Sequence, residues 1–176
     1  MQLKDAIKLR TSYRKKYKNI PVPKKDLQQI VQAGLDAPSG CNRQTTSFIA
    51  VNDPEVLDKL NKIYAKRAPA PAMICVLTQR IIAYADVCLA VQDYSAAIEN
   101  MLLTIVDLGY QSCWIEGEVT SDDNLGRKMA DALGVPKEYE LVCILPVGCA
   151  AEEVTHVVKK ESTKRAWLNG FGKPFQ

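Results

Sequence analysis

"YADVCLAVQDYSAAIENMLLTIVDLG", residues 84–109, is the longest periodic segment of this 176-residue chain. Val91, Tyr94, Ile98, Met101, Leu102, Ile105 and Leu108 recur at helical spacing, with Ala96 and Ala97 between them. A surface helix needs one apolar stripe. The wider apolar surface here predicts a central helix buried on more than one side. Such a helix needs layers to cover it, and the segments on either side supply them.

Upstream, "MICVLT" (73–78) reads as a buried strand, entered from the loop "RAPAPA" (67–72). Asp53 and Pro54 form an N-cap and N1 pair for a helix striped by Leu57, Leu60 and Tyr64. "TSFIAV" (46–51) is a short β-rich run. Before it, residues 21–38 place Leu27, Ile30, Val31 and Leu35 on one helical stripe, with Pro23 in the first turn and Pro38 closing it. Leu3, Ala6 and Ile7 mark a short first helix. Downstream, "SCWIEG" (112–117) is an apolar run. Ser121 is placed to cap a helix using Leu125, Met129 and Leu133, stopped by Gly134 and Pro136. "ELVCILPVG" (140–148) reads as a core strand, and the tail from Val157 to Gln176 turns from basic to aromatic. Helices interleaved with about four short strands predict an α+β (α/β sandwich) fold. The length suits one domain spanning residues 1–176.

Composition narrows the chemistry. A net charge of +3 admits an anionic small molecule but falls short of a nucleic-acid footprint. Cys41, Cys75, Cys88, Cys113, Cys143 and Cys149 contain no C-x-x-C pair, so no metal site is expected. With no apolar run near the roughly 18 residues of a membrane span and no signal-like start, the expected location is the cytoplasm, with reduced thiols. His156 is the only histidine, which leaves side-chain acid–base chemistry poorly provided for. No strand leads into a Gly-rich nucleotide fingerprint, so a nucleotide-type ligand would be held by side chains and irregular backbone.

Three stretches bear on that ligand. "RTSYR" (10–14) opens a cation-rich run that reads either as a solvated basic patch or as a phosphate clamp, since guanidinium forks and hydroxyls suit phosphate oxygens. "APSGCNRQ" (37–44) is either an ordinary helix-ending turn or a set of amide donors and acceptors for a polar ligand. "GYQSCWIEG" (109–117) ends on a glycine that lets backbone approach a ligand closely.

In this order the three stretches resemble the nitroreductase family of FMN-dependent oxidoreductases. Its members carry an R-x-S-x-R start, a P-S-x-x-N-x-Q loop and a late C-W-I-x-G-type segment. The resemblance implies a central, mostly antiparallel sheet of about four to five strands flanked by helices. It also implies a C-terminal tail exchanged within a homodimer. It assigns Arg10, Thr11, Ser12 and Arg14 to the FMN phosphate, with Lys159 and Lys160 reaching it from the tail. Pro38, Ser39, Asn42 and Gln44 contact the flavin, commonly from the second subunit, and Glu116 and Gly117 offer backbone N–H groups to its ring. Trp114 reads as core.

The implied activity is ping-pong transfer of hydride from NADH or NADPH through FMN to a nitroaromatic, quinone or similar electron-poor small molecule. FMN carries the chemistry, so no side chain is expected to be catalytic. The rival reading is an FMN-binding module without reductase turnover: a flavin carrier, sensor or complex subunit. Three departures stand out. Thr45 and Thr46 follow Gln44 where the family usually continues with Pro-Trp. Few residues separate "MICVLT" from the long helix, where larger members carry a helical insertion, so an open site is expected. Cys41 in the loop is either a structural or a redox-sensitive thiol.

Overall fold

The computed structural model describes residues 1–121 and 123–175, so Asp122 and the expected tail's last residue, Gln176, lie outside the described residues. The long helix, α4, spans Ala90–Asp107 and buries Tyr94, Ala97, Ile98, Met101, Leu102 and Ile105. It begins at Ala90 rather than Tyr84. Ile82–Tyr84 (β3) and Val87–Cys88 (β4) form an antiparallel hairpin instead. Ala85 and Asp86 turn it with φ of 42° and 64°, and two left-handed central residues match the twist of paired strands. The hairpin is itself apolar, which is why the sequence pattern ran it into the helix. Val91, expected on the inward stripe, is 45% exposed because the helix turns it away from the sheet.

The sheet under α4 has β1 (Thr46–Val51), β2 (Ala72–Thr78) and β5 (Glu140–Val147) in the order β1-β2-β5, both pairs antiparallel. Every residue of β2 is buried. Its alternate side chains serve two cores. Ala72, Ile74 and Val76 join Tyr94, Ile98, Met101 and Ile105 of α4, together with Leu27 and Ile30 of α2 (Lys24–Leu35). Met73, Cys75 and Leu77 join Leu57 and Leu60 of α3 (Pro54–Ile63) and Met129 and Ala130 of α5 (Leu125–Ala132). Covering both faces explains why the strands read as unbroken apolar runs.

"SCWIEG" is not a regular strand. Single antiparallel bridges, Gln111↔Gly148 and Ile115↔Ile144, lay it along β5, and a parallel bridge, Ser12↔Ser112, adds a further extended segment. Three regular strands plus two bridged segments thus occupy the width expected of four to five. The Asp53 cap forms as expected, accepting the Glu55 and Val56 N–H groups at 2.9 and 3.1 Å. Ser121 does not cap α5. Its hydroxyl donates to the Glu118 carbonyl, and the helix starts after Asn124, whose φ is 54°. Gly134 at φ 69° ends that helix as the sequence indicated. Leu35, expected inward, is 56% exposed, and α1 (Leu3–Leu9) buries only Ala6.

Tyr110 ties the two central helices. Its buried hydroxyl donates to Asp26 Oδ2 at 2.7 Å, joining the end of α4 to the start of α2. Burial, and then the Asp26 carboxylate, push the phenol up from 10 to about 12. A raised acid of this kind contributes stability that is complete below its unfolded value and is lost as pH rises through the folded one. Tyr110→Phe should cost about 1 kcal/mol near neutrality. It should also make the loss of stability between pH 10 and 12 shallower, as urea unfolding across that range would show.

Candidate functional site

The cation-rich run 10–18 is held against the chain beyond β5. Lys18 N–H donates to the Cys149 carbonyl at 2.8 Å, Ala151 N–H to the Lys16 carbonyl at 3.0 Å, and the Thr11 hydroxyl to the Thr155 carbonyl at 3.1 Å. Tyr13, buried, clasps both sides: its hydroxyl donates to the Lys16 carbonyl at 2.5 Å and accepts the Glu152 N–H at 3.2 Å. This lacing brings the first residues of the run opposite the tail, around a cavity of about 480 Å3. Lys8, Arg10, Lys159 and Arg165 line it with Thr11, Ser12 and His156, and Glu99 of α4 is its one carboxylate. Arg10 Nε lies 3.4 Å from Glu99 Oε1, a contact that leaves the guanidinium's Nη groups available.

Four of the anticipated phosphate residues, Arg10, Thr11, Ser12 and Lys159, therefore meet in one cavity. Thr11 gives its hydroxyl proton to the tail rather than holding it ready for a ligand. Arg14 is exposed outside the cavity, with Nη1 3.5 Å from the Ser12 carbonyl, and exposed Lys160 does not line the cavity either. His156 and Arg165 do, and the sequence reading had given neither a role. Neither lies in one of the three motifs, so the sequence carried no signal for them.

The 37–44 loop follows α2 and lines a second, smaller cavity of about 130 Å3 through Pro38, Ser39 and Gln44. Asn42 is exposed beside it. The two cavities share no lining residue within one chain. Cys41, Asn42 and Gln44 have φ of 49°, 53° and 50°, a left-handed run that costs non-glycine residues roughly 1–2 kcal/mol each. Ser39 Oγ accepts the Gln44 N–H at 2.9 Å. Asp93 of α4 accepts the Gly40 N–H and the Thr45 hydroxyl, both at 2.7 Å. Thr45 is buried, so the departure from Pro-Trp brings a hydroxyl under the loop, and Thr46 Oγ1, buried, has no partner among the described residues. The sequence reading missed Asp93. A lone carboxylate just before the buried Tyr94 at the head of an apolar helix was its signal.

The third stretch leaves α4 at Gly109 and turns back along β5. The Glu116 carboxylate accepts the Tyr94 hydroxyl at 2.5 Å and the Trp114 indole N–H at 2.9 Å, fixing the 114–117 segment to α4. Burial, then Glu116, push the Tyr94 phenol far up. Trp114 packs on the core, as expected. Among the described residues the peptide N–H groups of Glu116 and Gly117 donate to no protein acceptor, and a Cβ at Gly117 would meet open space.

A family model described as "Nitroreductase family" matches residues 7–84 and 68–149. The chain belongs to the nitroreductase family. An Archaeoglobus fulgidus relative, provisionally named an NADH dehydrogenase/NAD(P)H nitroreductase, is 29% identical over 140 residues, 78% of this chain and 79% of that one. The nitroreductase from Bacteroides fragilis, solved with bound FMN, superposes with a TM-score of 0.77 at 27% identity, covering 97% of this chain and 100% of that one. Human iodotyrosine deiodinase 1 is 24% identical over 166 residues, 78% of this chain and 57% of that one. The nitroreductase resemblance read from the three motifs, and the antiparallel sheet flanked by helices that it implied, therefore hold.

Proposed function

We propose that this nitroreductase-family chain is an FMN-dependent oxidoreductase. In this reading it moves hydride equivalents, in ping-pong order, from NADH or NADPH to a nitroaromatic, quinone or similar electron-poor small molecule. The observation that carries the reading is the convergence of Arg10, Ser12 and Lys159, from opposite ends of the chain, on one cavity whose other cations are Lys8 and Arg165. That donor set fits a phosphate dianion, because guanidinium and ammonium groups form charge-assisted hydrogen bonds with its oxygens. The unpartnered Thr46 hydroxyl and the unengaged Glu116 and Gly117 N–H groups fit the polar edges of a flavin.

When bound, FMN supplies the ring that accepts hydride and returns electrons. The chain's own work is to hold and orient it. Arg10 and Ser12 would anchor the phosphate and Lys159 would close over it from the tail, which Thr11 keeps in place. Pro38, Ser39, Asn42 and Gln44 would hold the ring and ribityl chain. The Glu116 and Gly117 N–H groups would donate to the ring, where negative charge grows on reduction, and would so favour the reduced state. Arg14 and Lys160 contribute only long-range charge.

The working unit in this reading is a homodimer in the cytoplasm. Leu3, Ile7 and Leu9 of α1 are all exposed, as are Leu168, Phe171 and Phe175 of the tail. Because the two cavities share no residue in one chain, loop and clamp meet over one ligand most simply across two chains. The name of the Archaeoglobus fulgidus relative supports the nicotinamide donor, and the FMN in the Bacteroides fragilis structure supports the cofactor.

The purified chain should be yellow, or become so with one FMN per chain, and NADH or NADPH should bleach it without oxygen. Steady oxidation of the nicotinamide should follow when menadione or a nitrofuran is added. FMN that keeps its free fluorescence and washes away on a desalting column would refute the proposal. Tight FMN with no nicotinamide oxidation would instead select the binding-module reading.

A further inference from the structure

Asp93 lies in the first turn of α4, is 4% exposed, and makes no ion pair among the described residues. A buried carboxylate without a cation is kept only where donors satisfy it. Both of its donors belong to one loop: the Gly40 N–H on Oδ1 and the Thr45 hydroxyl on Oδ2, each at 2.7 Å. Between them Cys41, Asn42 and Gln44 all hold left-handed backbone, a state that persists only when the surroundings impose it. Gly40 presses so closely on α4's entry that a Cβ there would lie 2.4 Å from Leu89 Cδ1.

We propose that Asp93 is a positioning residue of the ligand site. By gripping the 40–45 loop at both ends it imposes the shape in which Ser39, Asn42 and Gln44 are presented to the flavin. The proposal rests on the FMN reading and adds to it a residue that lines the same cavity as Pro38, Ser39 and Gln44 and acts there by holding the loop. Asp93 is suited to this role because its two oxygens accept two bonds at once, and neither bond can be replaced by water at a buried site.

The test uses the full chain, freed of cofactor, in five forms: wild type, Asp93→Ala, Asp93→Asn, Thr45→Val and Tyr110→Phe. FMN titration should show at least about 100-fold weaker binding for Asp93→Ala, the loss of two hydrogen bonds to a charged acceptor. Asp93→Asn, whose carbonyl still accepts from Gly40, should recover to within about fivefold of wild type. Tyr110→Phe lacks a comparable bond at the far end of α2 and should bind FMN as wild type does. Without ligand, amide exchange across residues 40–45 should quicken in Asp93→Ala and not in Tyr110→Phe.

Asp93→Ala with faster exchange but wild-type FMN affinity overturns the proposal and leaves the FMN reading intact. So does Tyr110→Phe binding as weakly as Asp93→Ala, since general destabilisation would then suffice. If Asp93→Ala does not fold, Thr45→Val decides, because it removes one bond with little change of shape. Several-fold weakening there supports the proposal, and undiminished affinity overturns it. Wild type that binds no FMN fails the functional reading itself, in an arm separate from the variants, and this proposal falls with it.

Discussion

Removing residues 166–176 should give a chain that sediments as a monomer and binds FMN more weakly than the full chain, although none of the described residues removed lines the cation cavity. The segment begins just after Arg165, the last residue that does. Trp167 and Phe171 pack together, ring centroids 4.1 Å apart and planes tilted by 43°. Phe171 is nevertheless 88% exposed, Phe175 61% and Leu168 46%. Local packing has not hidden the tail's apolar surface. Each such side chain gains roughly 1.5–3 kcal/mol on full burial, enough in sum to hold two chains together. If clamp and loop meet over one flavin across two chains, FMN binds the dimer better than the monomer, and each must strengthen the other by mass action. Sedimentation and FMN titration of the shortened chain test both halves. A monomer with undiminished FMN affinity would sink the shared site.

Arg10→Ala should weaken FMN binding about 10- to 100-fold, the loss of a charged hydrogen bond worth about 1.5–3 kcal/mol. Lys16→Ala should stay within about twofold, because a solvated cation contributes little. The structure separates the two residues. Arg10 lines the cavity and is steadied by Glu99, whereas Lys16 is exposed and joins the lacing through its backbone. Losing Arg10 also leaves Glu99 as an unopposed carboxylate facing the phosphate, which deepens the effect. Fluorescence titration of the two cofactor-free variants gives both constants. Equal losses would mean that the run acts only as a diffuse basic patch.

The core was legible because periodicity reports burial. β1, β2 and β5 lie where the apolar runs placed them, and Asp53 caps α3. Exposure was less legible. Leu35 and Val91 fit inward stripes and yet face outward, because a stripe does not say which neighbour covers it. The hairpin at 82–88 escaped notice because Ala-Asp is a weak turn signal set within an apolar run. At the candidate site the motifs located Arg10, Ser12, Ser39 and Gln44. Asp93, Glu99, His156 and Arg165 carry no motif. Their place at the cavities comes from distant segments meeting, and local sequence holds no record of that.

The lacing of the N-terminal run to the far end of the chain also sets an order of events during synthesis. Thr11 and its partner Thr155 are 144 residues apart. At about 5–20 residues per second, a ribosome needs about 7–30 s to bring the second after the first. During that interval Arg10 and Ser12 have no opposing wall, and the cation-rich run stands open to any polyanion nearby. Closing of the cation cavity therefore belongs to the finished chain. A product that ends between Val147 and His156 has its core strands complete and its cation cavity missing one side.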